Sequence, residues 1–125
     1  MILLDTHTLL WSRFDDSKLS QKAKKKIETT EKVFVSIASL WEIAIKQSIG
    51  KLTIDKTITE IASDCVENDI QVLNITPLHL DYLKELPPIH GDPFDRLIIA
   101  QAICEKLTIV SKDEMIREYN VKTIW

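Results

Sequence analysis

The chain has 125 residues, of which 45% are hydrophobic and 28% charged, and its net charge is -3. This length predicts one domain over residues 1–125, and the low content of glycine (2) and proline (4) excludes collagen-like and disordered chains. No apolar run approaches the roughly 18 residues that a membrane span needs, so we expect no membrane association. Without a basic N-terminal flank or clustered cysteines, the sequence favours a cytoplasmic protein with free thiols at Cys65 and Cys104.

Short apolar runs alternate with stretches of helical periodicity along the whole chain. Strands are predicted at 2–4, 33–35, 72–75, 108–110 and 123–124. Helices are predicted around 9–11, at 17–29, 37–49 and 57–68, from Pro77, at 93–106 and after Asp113. Strands this short and apolar, alternating with helices, are typical of a parallel sheet covered on both faces. The predicted fold is therefore α/β, a single three-layer α/β/α domain with a short-stranded parallel sheet.

The helix at 37–49 has the clearest periodicity. Its apolar residues recur at the spacing of one amphipathic helix face, and they are Ile37, Leu40, Trp41, Ala44 and Ile45. Gly50 follows at the position where glycine commonly ends a helix.

Carboxylates follow the predicted strands in a regular way. Asp5 comes directly after the first strand, and Glu42 lies within about two turns on the helix after the second. Asp92 and Asp95 open the helix before the fourth strand, and Asp113 follows that strand. Because ligands of open parallel sheets bind outside the carboxyl ends of the strands, we expect most of these acids to converge on one site.

Each acid also has a purely structural interpretation, which stays open for the residue taken alone. Asp5, Asp92 and Asp113 could be helix N-caps, Glu42 could form a surface pair with Lys46, and Asp95 could favour a helix N-terminus. As a group the carboxylates would repel one another, and either protonation or a cation would relieve the repulsion. Oxygen ligands without histidine or cysteine at ligand spacing favour Mg²⁺ or Mn²⁺ over Zn²⁺.

Four segments resemble the PIN-domain ribonucleases, and most closely the VapC-type toxins of toxin–antitoxin pairs. They are LLDTHTLLW (3–11), VSIASLWEIAIK (35–46), HGDPFDRLIIAQA (90–102) and TIVSKDEMI (108–116). The resemblance runs essentially from end to end and implies a PIN-like fold. It also implies hydrolysis of RNA with Mg²⁺ or Mn²⁺, in which Asp5, Glu42, Asp95 and Asp113 are both the catalytic residues and the metal ligands.

The resemblance assigns supporting roles to further residues. Ser111 is similar to the hydroxyl residue that the family often places near its fourth acid. Asp92 is an extra carboxylate, either a helix N-cap or a support for the ligands, and Thr6 is a further candidate for such support. In-line attack by water would leave a 5′-phosphate and a 3′-hydroxyl. A homodimer and a small antitoxin protein that blocks the acidic site are the partners that the family implies.

Basic residues offer candidates for contacts with RNA phosphates. Lys24, Lys25 and Lys26 belong to a basic run on a predicted surface helix, for which a solvated face is the alternative. Arg96 follows Asp95 and could touch the substrate or pair with a nearby acid. For His7 and His90, beside the predicted site, we expect packing or hydrogen bonding rather than metal ligation.

Two other Mg²⁺-binding folds of this kind fit less well. A receiver domain needs a phospho-accepting aspartate after its central strand, and residues 72–77 contain no acid. A haloacid-dehalogenase-type phosphatase needs a second acid two residues after Asp5, where this chain has His7. The alternative that stays open is a catalytically silent PIN-fold module that only binds or regulates.

Overall fold

The computed structural model describes residues 1–125 and is built around a sheet of five parallel strands. The strands are β1 (Ile2–Leu4), β2 (Val33–Ser36), β3 (Ile70–Leu73), β4 (Thr108–Val110) and β5 (Thr123–Ile124). Their order is β3-β2-β1-β4-β5, so the chain moves outward in one direction from β1 and then returns to its other side at β4. The carboxyl ends of β1 and β4 therefore form the switch point at which open α/β sheets bind ligands.

Six helices connect the strands. They are α1 (Thr6–Phe14), α2 (Gln21–Thr29), α3 (Ile37–Ser48), α4 (Ile58–Glu67), α5 (Pro77–Lys84) and α6 (Pro93–Glu105), with 3₁₀ turns at Asp16–Lys18 and Glu114–Glu118. None of these helices is both long and apolar enough to cross a membrane. The α/β fold with a short-stranded parallel sheet is thus confirmed.

Two predicted boundaries were wrong. The helix predicted at 17–29 begins at Gln21, because the Ser20 hydroxyl accepts a hydrogen bond from the Ala23 N–H and caps the helix there. The third strand lies at Ile70–Leu73 rather than 72–75, since its pairing with β2 starts where Ile70 faces Val33.

The core lies on both faces of the sheet, as the alternation of side chains along each strand requires. In β1, Ile2 and Leu4 pack into a cluster with residues of α1, α2 and α4, whereas Leu3 packs on the opposite face against α6. The same alternation separates Val110 from Ile109 in β4. This double covering explains why the strands are continuous apolar runs rather than alternating ones.

Helix α3 buries a different face from the one that its apolar spacing suggests. It packs against α1, α4 and α6 and turns Leu40, Glu42 and Ile43 inward. Three apolar residues of the predicted amphipathic face remain exposed: Ile37, Trp41 and Ile45. We call this exposed row, together with Ile49 one turn further on, the α3 stripe.

Candidate active site

Asp5 lies at the switch point, between the ends of β1 and β4. Its N–H donates to the Val110 carbonyl at 3.3 Å, and its side chain is buried. One carboxylate oxygen accepts from the Thr8 N–H at 2.9 Å and so caps α1, while the other accepts from the Ser111 hydroxyl. The N-cap interpretation of Asp5 is therefore correct, but it accounts for only one of the two oxygens.

Glu42 reaches the same place from α3. It is only 6% exposed, so the surface pair considered for it is wrong as to location. The pair with Lys46 does exist, with Nζ 2.7 Å from Oε2, and the Thr6 hydroxyl donates to Oε1 at 2.7 Å. Because a buried carboxylate needs partners, these two contacts hold Glu42 in an orientation set by α1 and by its own helix.

Asp92 and Asp95 stand at the start of α6. Asp92 caps this helix, with Oδ1 accepting from the N–H groups of Phe94 and Asp95 at 2.8 and 3.3 Å. Asp95 lies one turn inside, with a side chain 18% exposed. Burial, and then the neighbouring charges of Asp92 and Asp5, raise the pKa of Asp95 to about 7. The Asp95 carboxyl is thus poorly solvated, and the charges of neighbouring acids add to the effect of burial.

Asp113 and Ser111 connect the end of β4 to the other acids. The Asp113 N–H donates to the Ser111 hydroxyl oxygen at 3.0 Å, and that hydroxyl donates in turn to Asp5. Oδ1 of Asp113 accepts from the Met115 N–H at 2.9 Å and caps the following 3₁₀ turn. Its Oδ2 lies 2.7 Å from Nε2 of His90, which agrees with the hydrogen-bonding role expected for that histidine.

These side chains surround one cavity of about 320 Å³. Its lining comprises Asp5, Thr6, His7, Trp11, Glu42, Lys46, Asp92, Asp95, Lys112 and Asp113. The structure thus brings together all four acids predicted to act in catalysis, along with Thr6 and Asp92, while Ser111 lies directly behind Asp5.

The cavity rim contains residues to which the sequence gave no site role. Lys46 and Lys112 add positive charge beside the acids. The rings of His7 and Trp11 stack with centroids 5.4 Å apart and planes 16° apart, so they form an aromatic edge to the opening. The spacing of Glu42 and Lys46, one helical turn apart, was the available signal for the first lysine.

The residues predicted to contact RNA lie elsewhere. The Arg96 guanidinium donates to the carbonyl of Pro87 at 2.9 Å and to the hydroxyl of Tyr119 at 3.2 Å. It pairs with no acid, and these bonds direct it into the loop before α6 rather than into the cavity.

The lysines of α2 are also distant from the cavity in the topology of the sheet. Lys24 pairs with Asp16 at 3.2 Å and lines a groove with Val33 and Ile70, the first residues of β2 and β3. That groove lies at the amino end of the strands, whereas the acids lie at the carboxyl end. Lys25 and Lys26 are exposed, and RNA contact by all three lysines stays a prediction.

The donor set suits a hard divalent cation. Carboxylate oxygens from four separate elements face one cavity. Burial and then the charges of Asp92 and Asp5 raise the pKa of Asp95, and a cation would offset those charges. His90 Nε2 and one oxygen from each of Asp95 and Asp113 also lie within 4.8 Å of one another. The carboxylates could therefore hold a metal ion, and His90 Nε2 lies close enough to two of them to be a further candidate ligand.

Comparison with known proteins gives a consistent result. A family model described as PIN domain matches residues 2–122. The chain is 28% identical over 128 residues to Ribonuclease VapC22 of Mycobacterium tuberculosis (strain ATCC 25618 / H37Rv), covering 99% of this chain and 98% of that protein.

Two solved structures have the same fold. A toxin-antitoxin complex from Klebsiella pneumoniae aligns with a TM-score of 0.67 at 15% identity, over 100% of this chain and 97% of the other. FitAcB from Neisseria gonorrhoeae aligns with a TM-score of 0.66 at 17% identity, again over 100% and 97%.

Proposed function

Since this chain belongs to the PIN domain family, we propose that it is a metal-dependent endoribonuclease and the toxin of a toxin–antitoxin pair. The observation that carries the proposal is the convergence of Asp5, Glu42, Asp95 and Asp113 on one cavity at the switch point of the sheet. The similarity to a protein named as a VapC ribonuclease over nearly the full length of both chains supports the reaction class.

We assign the acids distinct roles within this proposal. Asp5 and Asp95 would hold Mg²⁺ or Mn²⁺ most directly, and Glu42 and Asp113 would act directly or through water. When bound, such an ion lowers the pKa of a water molecule and offsets charge on the attacked phosphate. Ser111 and Thr6 keep the carboxylates of Asp5 and Glu42 in place through their hydroxyl hydrogen bonds.

Two lysines are suited to the substrate phosphates. Lys112 is exposed beside the acids, and Lys46 is half-buried with its ammonium on Glu42. Positive charge on the rim would bring an RNA backbone toward a cavity that is otherwise acidic. This interpretation adds the cavity rim to the expected phosphate contacts beside the α2 lysines, and removes Arg96 from them.

The test is cleavage of a pool of structured RNAs by purified protein free of antitoxin, with Mg²⁺, with Mn²⁺ or with EDTA. We expect metal-dependent cleavage that Asp5→Asn and Asp95→Asn abolish. Asp55→Asn is the matched control, since Asp55 is an exposed aspartate outside the cavity. Wild-type cleavage by either site variant at saturating Mg²⁺ would contradict the assignment.

The alternative of a silent PIN-fold module has a distinct signature. It predicts no cleavage by folded, antitoxin-free protein with any metal ion. Calorimetric titration with Mn²⁺ then separates a module that retains its metal site from one that has lost it.

The proposal includes a homodimer, and the α3 stripe is its candidate interface. The four residues of the stripe recur every fourth position and carry no charge, so a second copy can lie against the same row without like-charge repulsion. Trp41 packs edge-on against Phe94, with ring centroids 4.9 Å apart, which places the row beside the start of α6. We expect Trp41→Glu to convert a dimer to a monomer in light scattering, whereas Leu80→Glu on α5 would leave it dimeric.

A small antitoxin protein and a cytoplasmic location complete the proposal. Co-expression with an antitoxin that restores growth would support the first. Fractionation of cells expressing the tagged chain tests the second, and recovery in the membrane or an extracellular fraction would contradict it.

A further inference from the structure

We propose that His90 is a positioning residue of the acidic site, whose Nε2 donates a hydrogen bond to the carboxylates and does not bind the metal ion. The inference rests on the proposed function, since it concerns the same acids. Nε2 of His90 and one oxygen from each of Asp95 and Asp113 lie within 4.8 Å of one another. At that spacing His90 could be either a metal ligand or a hydrogen-bond donor to the two carboxylates.

The backbone of Asp92 fixes which nitrogen of the ring carries the hydrogen. The Asp92 N–H donates to Nδ1 of His90 at 3.1 Å. A ring nitrogen that accepts a hydrogen bond must carry a lone pair, so in the neutral imidazole the hydrogen is on Nε2. Nε2 lies 2.7 Å from Oδ2 of Asp113 and 3.2 Å from Oδ2 of Asp95, where an N–H donor is well placed.

The same geometry argues against metal ligation by His90. To bind an ion through Nε2, the ring would have to move its hydrogen to Nδ1, where it would point at the Asp92 N–H. Two donors would then face each other beside a ring that is only 10% exposed. A buried donor without an acceptor is unfavourable, so the Asp92 contact keeps His90 in its donor form.

The loop before α6 holds the ring in place through the Tyr119 hydroxyl. The N–H groups of His90 and Ile89 donate to that oxygen at 2.7 and 3.2 Å, and the hydroxyl donates to the Pro87 carbonyl at 3.0 Å. Arg96 donates to both the Pro87 carbonyl and the Tyr119 hydroxyl. The role of Arg96 is thus to fix the loop that presents His90.

The consequence is that Asp113 is oriented from two sides. The Met115 N–H holds one of its oxygens and His90 holds the other. Groups that hydrogen-bond to metal-ligating side chains fix their orientation, and their loss typically weakens metal binding. His90 would therefore act on the metal ion through Asp113, and through Asp95 on the same side of the cavity.

The first test is direct observation of the His90 ring by ¹⁵N NMR, with and without saturating Mg²⁺. We expect the Nε2-protonated form in both samples. A ring protonated at Nδ1 in the metal-free protein, or a transfer of the hydrogen from Nε2 to Nδ1 when Mg²⁺ binds, would overturn the proposal.

The second test uses two substitutions that separate the two ring nitrogens. His90→Gln places an amide N–H near the position of Nε2 and can still donate to Asp113, whereas His90→Asn can only accept from Asp92. We expect His90→Asn to lose about 10- to 100-fold in Mn²⁺ affinity by calorimetry, and His90→Gln to retain most of it. Equal losses, or wild-type affinity in His90→Asn, would overturn the donor role.

Asp5→Asn distinguishes this inference from the proposed function. Wild-type Mn²⁺ affinity in that variant would contradict the proposed metal site, whatever form His90 takes. If Asp5→Asn loses Mn²⁺ binding but the His90 ring of the wild-type protein is protonated at Nδ1, the proposed metal site is supported. Only the positioning role of His90 is then refuted.

Discussion

Removal of the Asp95 charge should stabilise the metal-free protein, and more so as the pH rises. Its pKa is raised from 3.8 to about 7 by burial and by the charges of Asp92 and Asp5. Between these values the folded chain holds a proton that the unfolded chain has lost, so the free energy of unfolding falls as the pH rises through this window. The penalty is absent below about pH 4 and complete above about pH 7.

The size of the effect follows from the same pKa. A pKa raised from 3.8 to about 7 corresponds to ~4 kcal/mol between the acid and alkaline limits. The Asp95 side chain is 18% exposed. Solvent screening therefore reduces the effect, and we expect about 2 to 4 kcal/mol. Asp95→Asn abolishes the penalty, so the variant should gain this amount relative to wild type on going from pH 4 to pH 8.

Urea denaturation in EDTA at several pH values measures the difference between the two proteins. Asp55→Asn is the control, because Asp55 is an exposed aspartate outside the cavity and the substitution removes the same charge. Saturating Mg²⁺ should restore wild-type stability at pH 8, by about 2.7 kcal/mol at 100 times its dissociation constant. A difference between wild type and Asp95→Asn that stays constant from pH 4 to pH 8 would refute the electrostatic argument.

Three further predictions concern particular side chains. Gln101→Leu should lower the free energy of unfolding by about 1 to 3 kcal/mol, because the buried Ser36 hydroxyl loses a hydrogen-bond acceptor. That hydroxyl lies 2.5 Å from Gln101 Oε1. An unchanged urea midpoint would contradict this prediction. Lys46→Met should weaken RNA binding. It should also destabilise the fold, because the buried Glu42 carboxylate loses the cation that it is paired with. A double-mutant cycle with Glu42→Gln measures the interaction energy between Lys46 and Glu42. Charge removal at residues 24–26 should flatten the salt dependence of RNA binding by about 0.7 in slope for each RNA phosphate that a lysine no longer neutralises, and an unchanged slope would assign these lysines to the solvated surface.

The acids of the site were predictable because they are tied to strand ends. Asp5 follows the buried β1 directly, and Asp113 follows β4, its neighbour in the sheet, so parallel pairing alone brings their backbones close. The contact between His90 and Asp113 has no such signal. It depends on how a loop without regular structure folds over Tyr119, and no sequence period describes that loop.

Capping and ligand roles also proved not to be alternatives. Asp5, Asp92 and Asp113 were each open to interpretation as N-caps, and each is one. A cap uses one carboxylate oxygen and leaves the second free to point elsewhere. Because caps of helices that follow parallel strands lie at the carboxyl edge of the sheet, the residues that start these helices are already placed around the cavity.

Helix α3 shows why hydrophobic spacing did not identify the buried face. The helical spacing of the apolar residues indicates which residues avoid water. Helix α3, however, has two apolar sides, and the sheet covers only one of them. Leu40 and Ile43 fill the core, and Glu42 is also buried because its carboxylate belongs to the cavity. A prediction that keeps every charged residue at the surface would have placed the Glu42 side chain in solvent. Trp41 and Ile45 keep an apolar surface exposed on the opposite side, and this is the surface that the proposed homodimer would cover.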